Sequence, residues 1–320
     1  MAVKTAIIGL GIMGQRMLEH MVRHEGYAPL ALWDPNPDAC AQALQLAPNA
    51  VIATNADAAI SAADLVYLAC PPVPRKAYAL LAARARKAVF LEKPLGVDFA
   101  ESEDLVVQIE SLGVPAAVNF TQAAGTALAD VSQATKSGML GDVIGADIIV
   151  TYGAWPRDWQ VAADWLRFRA EGGMTREVIS HFLFFSERIL GPLSVIWANP
   201  SYPNDDTLCE THLLARLETE DGKPVSIMAS VGGVQPDRQE LTIKGSRTSR
   251  RITDFHVDAA SDGNAFLEVA KRLQDPRAIS LKTQLDDLLL CLEGKPNRLA
   301  TLKEALRVQE LVEAMLIAKN

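Results

Sequence analysis

The chain has 320 residues, 49% of them hydrophobic and 22% charged, which is an ordinary balance for a globular protein of about two domains. Its formal net charge of −8 argues against a general surface for nucleic acid or an anionic membrane. The four cysteines are far apart and form no CxxC pair, so we expect neither a disulfide framework nor a zinc site. No stretch resembles a secretory signal or a membrane span, and we expect a soluble cytoplasmic protein.

The first third of the chain alternates apolar runs with helical patterns. VKTAIIGL, APLALWD, DLVYLACPP, KAVFLEKP and VPAAVNF are typical of strands, and QRMLEHMVRH and PDACAQALQLA between them are typical of helices. Continuous apolar strands between helices imply a parallel sheet covered on both faces. We therefore predict a doubly wound domain of the Rossmann type over residues 1–121.

The pattern changes after about residue 122. GADIIVTYGAW, PVSIMASVG and RQELTIKG alternate like strands with one buried face, and LKEALRVQELVEAMLIAK is typical of an amphipathic helix. These features predict an α+β domain over residues 122–320 with a mostly antiparallel open sheet. The C-terminal helix of this domain could pack back on the first domain.

A glycine motif lies directly after the first strand and directly before a helix. Gly9 permits the tight turn, Gly11 lets the backbone approach a pyrophosphate, and Gly14 lets helix and strand pack closely. The helix N-terminus, which includes Ile12 and Met13, supplies N–H donors for phosphate. The alternative is a glycine-rich turn in another kind of α/β protein.

Asp34 ends the second strand, where a carboxylate would accept hydrogen bonds from ribose hydroxyls and repel a 2′-phosphate. NAD is therefore favoured over NADP. We add Pro71, after a later strand, to the cofactor-binding candidates. The alternative for Asp34 is a turn residue or cap before Pro35.

Glu92, Lys93 and Pro94 follow the run KAVFL, and parallel sheets bind ligands at such strand ends. Lys93 can bind a substrate hydroxyl and stabilise a developing alkoxide, while Glu92 orients it or contacts the cofactor. The alternative is an ordinary surface ion pair ahead of a turn.

The GxGxxG motif, the Glu92–Pro94 segment and a later segment from Gly172 to His181 together resemble the Gfo/Idh/MocA oxidoreductase family. The resemblance covers essentially the whole chain. It implies a Rossmann domain followed by an α+β domain, a catalytic or substrate-binding Lys93 between nicotinamide and substrate, and a homodimer or homotetramer.

The resemblance also assigns the histidine segment. His181 matches the family histidine, a proposed general base, and Glu177 stands where the family has an aspartate four residues earlier. On a helix these positions share a face, so the carboxylate would stabilise a protonated imidazole. The alternative for His181 is a helix histidine that fills the core.

Several positions depart from the family pattern. Glutamate replaces aspartate at Glu177, Ile179 replaces a glycine, and Phe184 replaces an acidic residue. The segment 119–122 lacks the usual arginine. We interpret the chain as a divergent branch in which the substrate contacts differ.

A stretch from Trp155 to Gly173 contains three of the five tryptophans and three arginines. Tryptophan faces stack on sugar rings, and arginines bind carboxylate or phosphate. Our substrate-binding candidates are Asn119, Trp155, Trp165 and Arg176. The alternative is core and interface packing by the aromatic residues, with solvated arginines.

These observations favour an NAD-dependent oxidoreductase that moves a hydride between nicotinamide and a secondary hydroxyl, or ketone, of a carbohydrate-like compound. No metal is expected, because a lysine and a histidine can manage the alkoxide charge. Two alternatives stay open: an NAD(P)H-dependent reductase of a ketone or imine, and a non-catalytic cofactor or sugar sensor on the same fold.

Overall fold

The computed structural model describes residues 1–160, 162–269 and 275–318. They form two compact units, each assembled from two separate pieces of the chain. The first comprises Met1–Phe120 and Leu281–Leu306, and the second comprises Thr121–Ser280 and Arg307–Asn320. The chain therefore passes between the units after residues 120, 280 and 306.

The first unit is built on a six-stranded sheet in the order β3-β2-β1-β4-β5-β6, with every neighbouring pair parallel. The strands are β1 (Val3–Ile8), β2 (Tyr27–Trp33), β3 (Val51–Ile52), β4 (Leu65–Leu68), β5 (Ala88–Glu92) and β6 (Ala116–Asn119). The helices are α1 (Ile12–Val22), α2 (Pro37–Leu46), α3 (Ala56–Ser61), α4 (Pro72–Arg84) and α5 (Phe99–Leu112). The order reverses between β1 and β4, and open α/β sheets bind ligands at such a switch point. The predicted doubly wound sheet is confirmed.

The central strands of this sheet are fully buried. Every residue of β4 and β5 is buried, as expected when both faces are covered. Helix α1 adds Met17, Leu18 and Met21 to the same apolar core. Burying one such side chain contributes about 1.5–3 kcal/mol. The core therefore fixes the strand ends, which carry the predicted cofactor residues.

The second unit is built on an eight-stranded sheet in the order β14-β13-β12-β11-β7-β10-β9-β8. Strands β7 and β10 are parallel, and the other neighbours are antiparallel. The strands are β7 (Val143–Tyr152), β8 (Leu193–Ser201), β9 (His212–Thr219), β10 (Pro224–Val231), β11 (Arg238–Gly245), β12 (Ser249–Thr253), β13 (Val257–Ser261) and β14 (Leu267–Glu268). The predicted mostly antiparallel sheet is confirmed.

The helices of this unit include α6 (Thr126–Lys136) and α7 (Ser180–Leu190). Two further helices, α8 (Pro276–Leu292) and α9 (Leu302–Ile317), each begin in one unit and end in the other. The helix predicted near the C-terminus corresponds to α9, and its expected last residue, Lys319, lies outside the described residues.

One face of the second sheet is exposed and partly apolar. Trp197, Leu214 and Met228 lie on β8, β9 and β10 with exposed fractions of 52%, 49% and 43%. Leu214 and Met228 are direct cross-strand neighbours, so the apolar surface is continuous between their strands. Among the residues that the structure describes, none of the helices combines the length and apolar character that a membrane span requires.

Candidate active-site residues in the two units

The glycine loop between β1 and α1 requires glycine at two positions for steric reasons. Gly9 has φ +92°, and a Cβ there would lie 2.4 Å from the backbone nitrogen of Cys70. A Cβ on Gly14 would lie 1.9 Å from the carbonyl oxygen of Gly9. Both distances are far below van der Waals contact, so side chains are excluded. The missing side chains let the loop pack directly against the end of β4.

Gly11 serves a different purpose. No atom lies within 4 Å of the position that a Cβ would take, and the residue is exposed. Gly11 is also the N-cap of α1, and no side chain caps this helix. The first N–H groups of α1, which include those of Ile12 and Met13, therefore lack a side-chain acceptor from the cap. A helix N-terminus beside an unfilled surface suits a pyrophosphate.

Asp34 is attached to this loop. Its Oδ2 accepts a hydrogen bond from the backbone N–H of Leu10 at 2.7 Å, and its Oδ1 accepts one from Asn36 at 2.8 Å. The residue is half-buried. The predicted ribose-binding carboxylate therefore lies beside the predicted phosphate loop.

Glu92 is buried at the end of β5, with 5% of its surface exposed. Its carboxylate accepts hydrogen bonds from the Tyr67 hydroxyl and from Nδ2 of Asn119, the latter at 2.5 Å. Burial raises the pKa of Glu92, and the Tyr67 hydroxyl is the first of several groups that oppose the rise. Burial, followed by the charge of Glu92, raises the pKa of Tyr67 well above its ordinary value. This polar network joins β4, β5 and β6.

Arg75 of α4 holds the backbone around Lys93. The arginine is 2% exposed, and its Nη2 donates to the carbonyl of Cys70 at 2.5 Å. Its Nη1 donates to the carbonyl of Glu92 at 2.7 Å and also to that of Pro94. These last two carbonyls flank Lys93, which is 9% exposed and precedes a cis peptide bond. One buried guanidinium thus fixes the chain on both sides of the predicted catalytic lysine.

Gly172 and Gly173 open the histidine segment in the second unit. A Cβ on Gly172 would lie 2.2 Å from the carbonyl oxygen of Leu166. Gly173 has φ +105°, and a Cβ there would lie 2.4 Å from Oε2 of Glu210. Glu210 is 2% exposed, and its Oε1 accepts a hydrogen bond from the backbone N–H of Thr175 at 2.8 Å. Gly173 therefore leaves room for a buried carboxylate at the start of the next helix, and burial raises the pKa of this carboxyl group.

That helix begins with a π-helical turn, Thr175–Ile179, which continues into α7. Such turns are frequent at functional sites. Glu177 lies within the turn, and its Oε1 accepts a hydrogen bond from Nε2 of Gln160 at 3.3 Å. His181 follows on α7 with 8% of its surface exposed, and its ring centroid lies 5.5 Å from that of Phe255.

The tryptophan-rich stretch surrounds an arginine. The guanidinium of Arg157 lies 5.1, 5.7 and 4.7 Å from the ring centroids of Tyr152, Trp155 and Trp159. Its Nε donates to Oε1 of Gln160 at 2.9 Å. Gln160 also donates to the carboxylate of Glu177. Hydrogen bonds therefore connect the tryptophan-rich stretch to the histidine segment.

Arg176 uses its guanidinium within the second unit. Nε and Nη2 both donate to the carboxylate of Glu313 at 2.7 Å, and Nη1 donates to the carbonyls of Arg169 and Gly172 at 2.8 and 2.9 Å. Trp165 is half-buried in a 3₁₀ turn. The substrate-binding roles of these two residues stay predictions, as do those of Asn119 and Trp155.

Reasoning from the sequence missed several residues that contact these groups: Tyr67, Arg75, Gln160, Glu210 and Phe255. None belongs to a motif, and each reaches its partner only through the fold. Over the described ranges, no three histidine, cysteine, aspartate or glutamate side chains are grouped as a metal site would require.

The strand order, the glycine loop after β1 and the carboxylate after β2 define the first unit as a dinucleotide-binding Rossmann domain. Residues 3–120 match the Gfo/Idh/MocA family, described as an oxidoreductase family with an NAD-binding Rossmann fold. This match covers the strands and helices of the first unit from β1 to β6. The predicted resemblance is confirmed over these residues, and so is the prediction of an NAD(P)-binding Rossmann domain.

Two curated proteins are similar in sequence. One is the 2,7-anhydro-N-acetylneuraminate hydratase of Escherichia coli K12, 22% identical over 267 residues, or 80% of this chain and 68% of the relative. The other is an uncharacterized oxidoreductase of Streptococcus pneumoniae, 24% identical over 174 residues. That match spans 53% of this chain but only 46% of the relative.

Solved structures resemble nearly the whole chain. An oxidoreductase from Agrobacterium radiobacter, in complex with NAD⁺, L-tartaric acid and magnesium, has a TM-score of 0.84 at 17% identity and is matched over 98% of this chain and 95% of that one. The WlbA dehydrogenase from Bordetella pertussis, in complex with NADH and UDP-GlcNAcA, has a TM-score of 0.82 at 20% identity with the same coverage. At these identities the likeness shows the fold.

Proposed function

We propose that the protein is an NAD-dependent oxidoreductase that transfers a hydride between nicotinamide and a secondary hydroxyl, or ketone, of a sugar, polyol or related cyclic compound. The observation that carries this proposal is the grouping of Gly11, Asp34 and Lys93 at the carboxyl ends of strands in one parallel sheet. The sugar-like ligand of the WlbA dehydrogenase and the sugar derivative in the hydratase's name support the substrate class.

The residues of the first unit fit a dinucleotide. Gly11 leaves unfilled space at the start of α1, and Asp34 presents a carboxylate beside the loop. The residues that would hold the cofactor are Gly9, Gly11, Ile12, Met13, Gly14, Asp34, Pro71, Glu92 and Lys93. We infer NAD rather than NADP, because a carboxylate at Asp34 would repel a 2′-phosphate. When bound, NAD supplies the hydride acceptor.

Three side chains carry the proposed chemistry. The Lys93 ammonium binds the reacting oxygen and stabilises negative charge on it. A ring nitrogen of His181 takes the hydroxyl proton as the hydride leaves carbon, and Glu177 stabilises the resulting imidazolium. In the reverse direction the same groups would serve a reductase, with His181 returning the proton.

The test is a turnover assay with NAD and NADP on a panel of sugars, polyols and sugar acids, and with the reduced cofactors on the matching ketones. Lys93→Ala and His181→Ala are compared with wild type. Matched controls are Lys76→Ala, a lysine of α4 that pairs with Glu101, and His212→Ala, an exposed histidine of β9.

We expect both site variants to lose at least about a hundredfold in kcat/KM, since general acid–base groups typically contribute 10²–10⁴, while both controls keep wild-type rates. Turnover only in the reducing direction would favour the reductase. Cofactor binding without turnover on any compound would favour the sensor. Full activity of His181→Ala would contradict its role as the base.

We also propose that the exposed face around Trp197, Leu214 and Met228 pairs two copies of the chain, giving a homodimer or homotetramer. Contiguous exposed apolar surface commonly marks a protein interface. The mass in solution tests this by sedimentation, with Leu214→Asp expected to shift it toward the monomer. Val107→Asp is the control, because Val107 is an exposed valine of α5 in the other unit.

A further inference from the structure

The hairpin between β12 and β13 has an unusual backbone at its tip. Asp254 and Phe255 have φ values of +50° and +66°, and the backbone N–H of His256 donates to the carbonyl of Thr253 at 3.1 Å. The two residues with positive φ lie between the residues that this hydrogen bond joins, as in a type I′ turn. That turn ordinarily takes Asn-Gly, and a bulky residue with positive φ is an outlier. The chain therefore carries a phenylalanine where its own backbone disfavours one.

The position of the Phe255 ring accounts for this choice of residue. Its centroid lies 5.5 Å from that of the His181 imidazole, with the ring planes at 71°, and 5.1 Å from that of Phe182, with the planes at 8°. Edge-to-face and stacked contacts are the geometries that aromatic pairs prefer. One ring from the hairpin thus contacts two successive residues of α7, and all three lie in the second unit.

We propose that Phe255 is a positioning residue for His181. It contacts the imidazole in an edge-to-face arrangement and fixes the plane of that ring, while its stacking on Phe182 fixes the phenylalanine itself. Strained backbone persists where the surrounding structure requires it and is concentrated at functional sites. A glycine or asparagine at this position would relieve the turn but would remove this aromatic contact from the imidazole. The inference rests on the proposed role of His181 as the base.

Three substitutions separate positioning from simple packing. Phe255→Tyr keeps the ring, Phe255→Leu keeps apolar contact with Phe182 without a ring, and Phe255→Gly removes the side chain and relieves the turn. Arg86→Gly is the matched control, because Arg86 is an exposed residue with φ +60° in the first unit. Thermal denaturation identifies any variant that has lost its fold.

The first readout is independent of turnover. The chain has five histidines, so the Cε1–H resonance of His181 is assigned by its loss in His181→Ala. We expect a ring-current shift in wild type and in Phe255→Tyr, and its loss in Phe255→Leu and Phe255→Gly. An unchanged His181 resonance in the leucine variant would overturn the inference, whatever the enzyme turns over.

The second readout is the split between kcat and KM. We expect kcat to fall about tenfold or more in the leucine and glycine variants, because misplacing a catalytic group is costly, with little change in KM. The tyrosine variant and Arg86→Gly should keep the wild-type kcat. If Phe255→Leu keeps the wild-type kcat while His181→Ala is inactive, the positioning role of Phe255 is overturned and the proposed function stands. An active His181→Ala would overturn the proposed function, and the inference with it.

Discussion

Asp34 and Leu10 are joined by a hydrogen bond of 2.7 Å from a backbone N–H to a carboxylate oxygen. The residue proposed to select the cofactor therefore also fastens the loop proposed to bind its phosphates. A substitution at Asp34 therefore affects both cofactor selection and the conformation of the loop. A variant that keeps an oxygen acceptor separates these two effects.

We predict that Asp34→Asn will weaken the preference for NAD over NADP. The amide keeps an acceptor for the loop but removes the charge that opposes a 2′-phosphate. The ratio of the two kcat/KM values should change about tenfold or more, which corresponds to 1.4 kcal/mol. Steady-state kinetics with both cofactors measures it. The control Asp38→Asn, in the first turn of α2, should keep the wild-type ratio; an unaltered ratio in Asp34→Asn would remove the basis for assigning NAD.

Gly11→Ala should weaken cofactor binding, whereas Gly14→Ala should destabilise the fold. A Cβ on Gly11 meets no protein atom, so we expect stability within about 1 kcal/mol of wild type but NAD affinity about tenfold or more weaker, because the methyl group occupies cofactor space. A Cβ on Gly14 overlaps a backbone oxygen, and we expect a loss of about 3 kcal/mol in the free energy of unfolding. Urea denaturation and cofactor titration distinguish the two. Unchanged NAD affinity in Gly11→Ala would contradict the phosphate-binding assignment.

Arg75→Met should destabilise the first unit and lower turnover. The substitution removes this donor from two buried carbonyl oxygens and one partly buried one, which we expect to cost about 2–5 kcal/mol of unfolding free energy. Lys93 would then lose the constraint on its backbone. Arg84→Met on the same helix is the matched control, because Arg84 is exposed and donates to a surface glutamine side chain. Equal stability of the two variants would show that Arg75 does not stabilise the backbone around Lys93.

His256 should make the stability of the protein depend on pH. Burial, followed by the charge of Arg277, lowers its pKa from 6.5 to about 4, and Asp275 opposes the shift. Well above pH 6.5, His256 is neutral in both the folded and the unfolded chain. It therefore leaves the free energy of unfolding unchanged there. As the pH falls toward 4, the unfolded chain binds a proton that the folded chain excludes, so stability is lost.

We expect that loss to reach at most about 3 kcal/mol, since one pKa unit corresponds to 1.36 kcal/mol. Urea denaturation of wild type and His256→Gln at several pH values measures it. The stability difference between the two proteins should shift in favour of the variant as the pH falls through this interval. A difference that stays constant with pH would contradict the assigned shift.

Much of the first unit could be predicted because its signals are local. The run Ala88–Glu92 is apolar throughout, as a strand buried on both faces requires, and the glycine motif sits in a fixed relation to β1 and α1. Strands β8, β12 and β13 and helix α8 were not predicted. Strand β8 lies at the edge of its sheet and contains Pro200, so its pattern of burial is irregular.

The supporting residues left no signal in the sequence. Arg75 binds carbonyl oxygens, which every residue carries, so no side-chain partner marks its role. Glu210 is a single acidic residue whose purpose depends on the space left by Gly173. The sequence Asp254-Phe255 is also not typical of a type I′ turn, and the Phe255 ring stacks on Phe182 of α7, which is distant in the sequence. Such relationships exist only after the chain has folded.

The first unit includes Leu281–Leu306, which affects how this unit can be produced separately. This piece contributes Leu281, Leu285 and Leu288 to the apolar core, and the carbonyl of Ala300 accepts a hydrogen bond from the backbone N–H of Val118 at 2.9 Å. A chain that ends after residue 120 would therefore form an incomplete first unit and expose part of this apolar core to solvent, which favours aggregation. An autonomous unit would require the two pieces to be fused by an engineered linker.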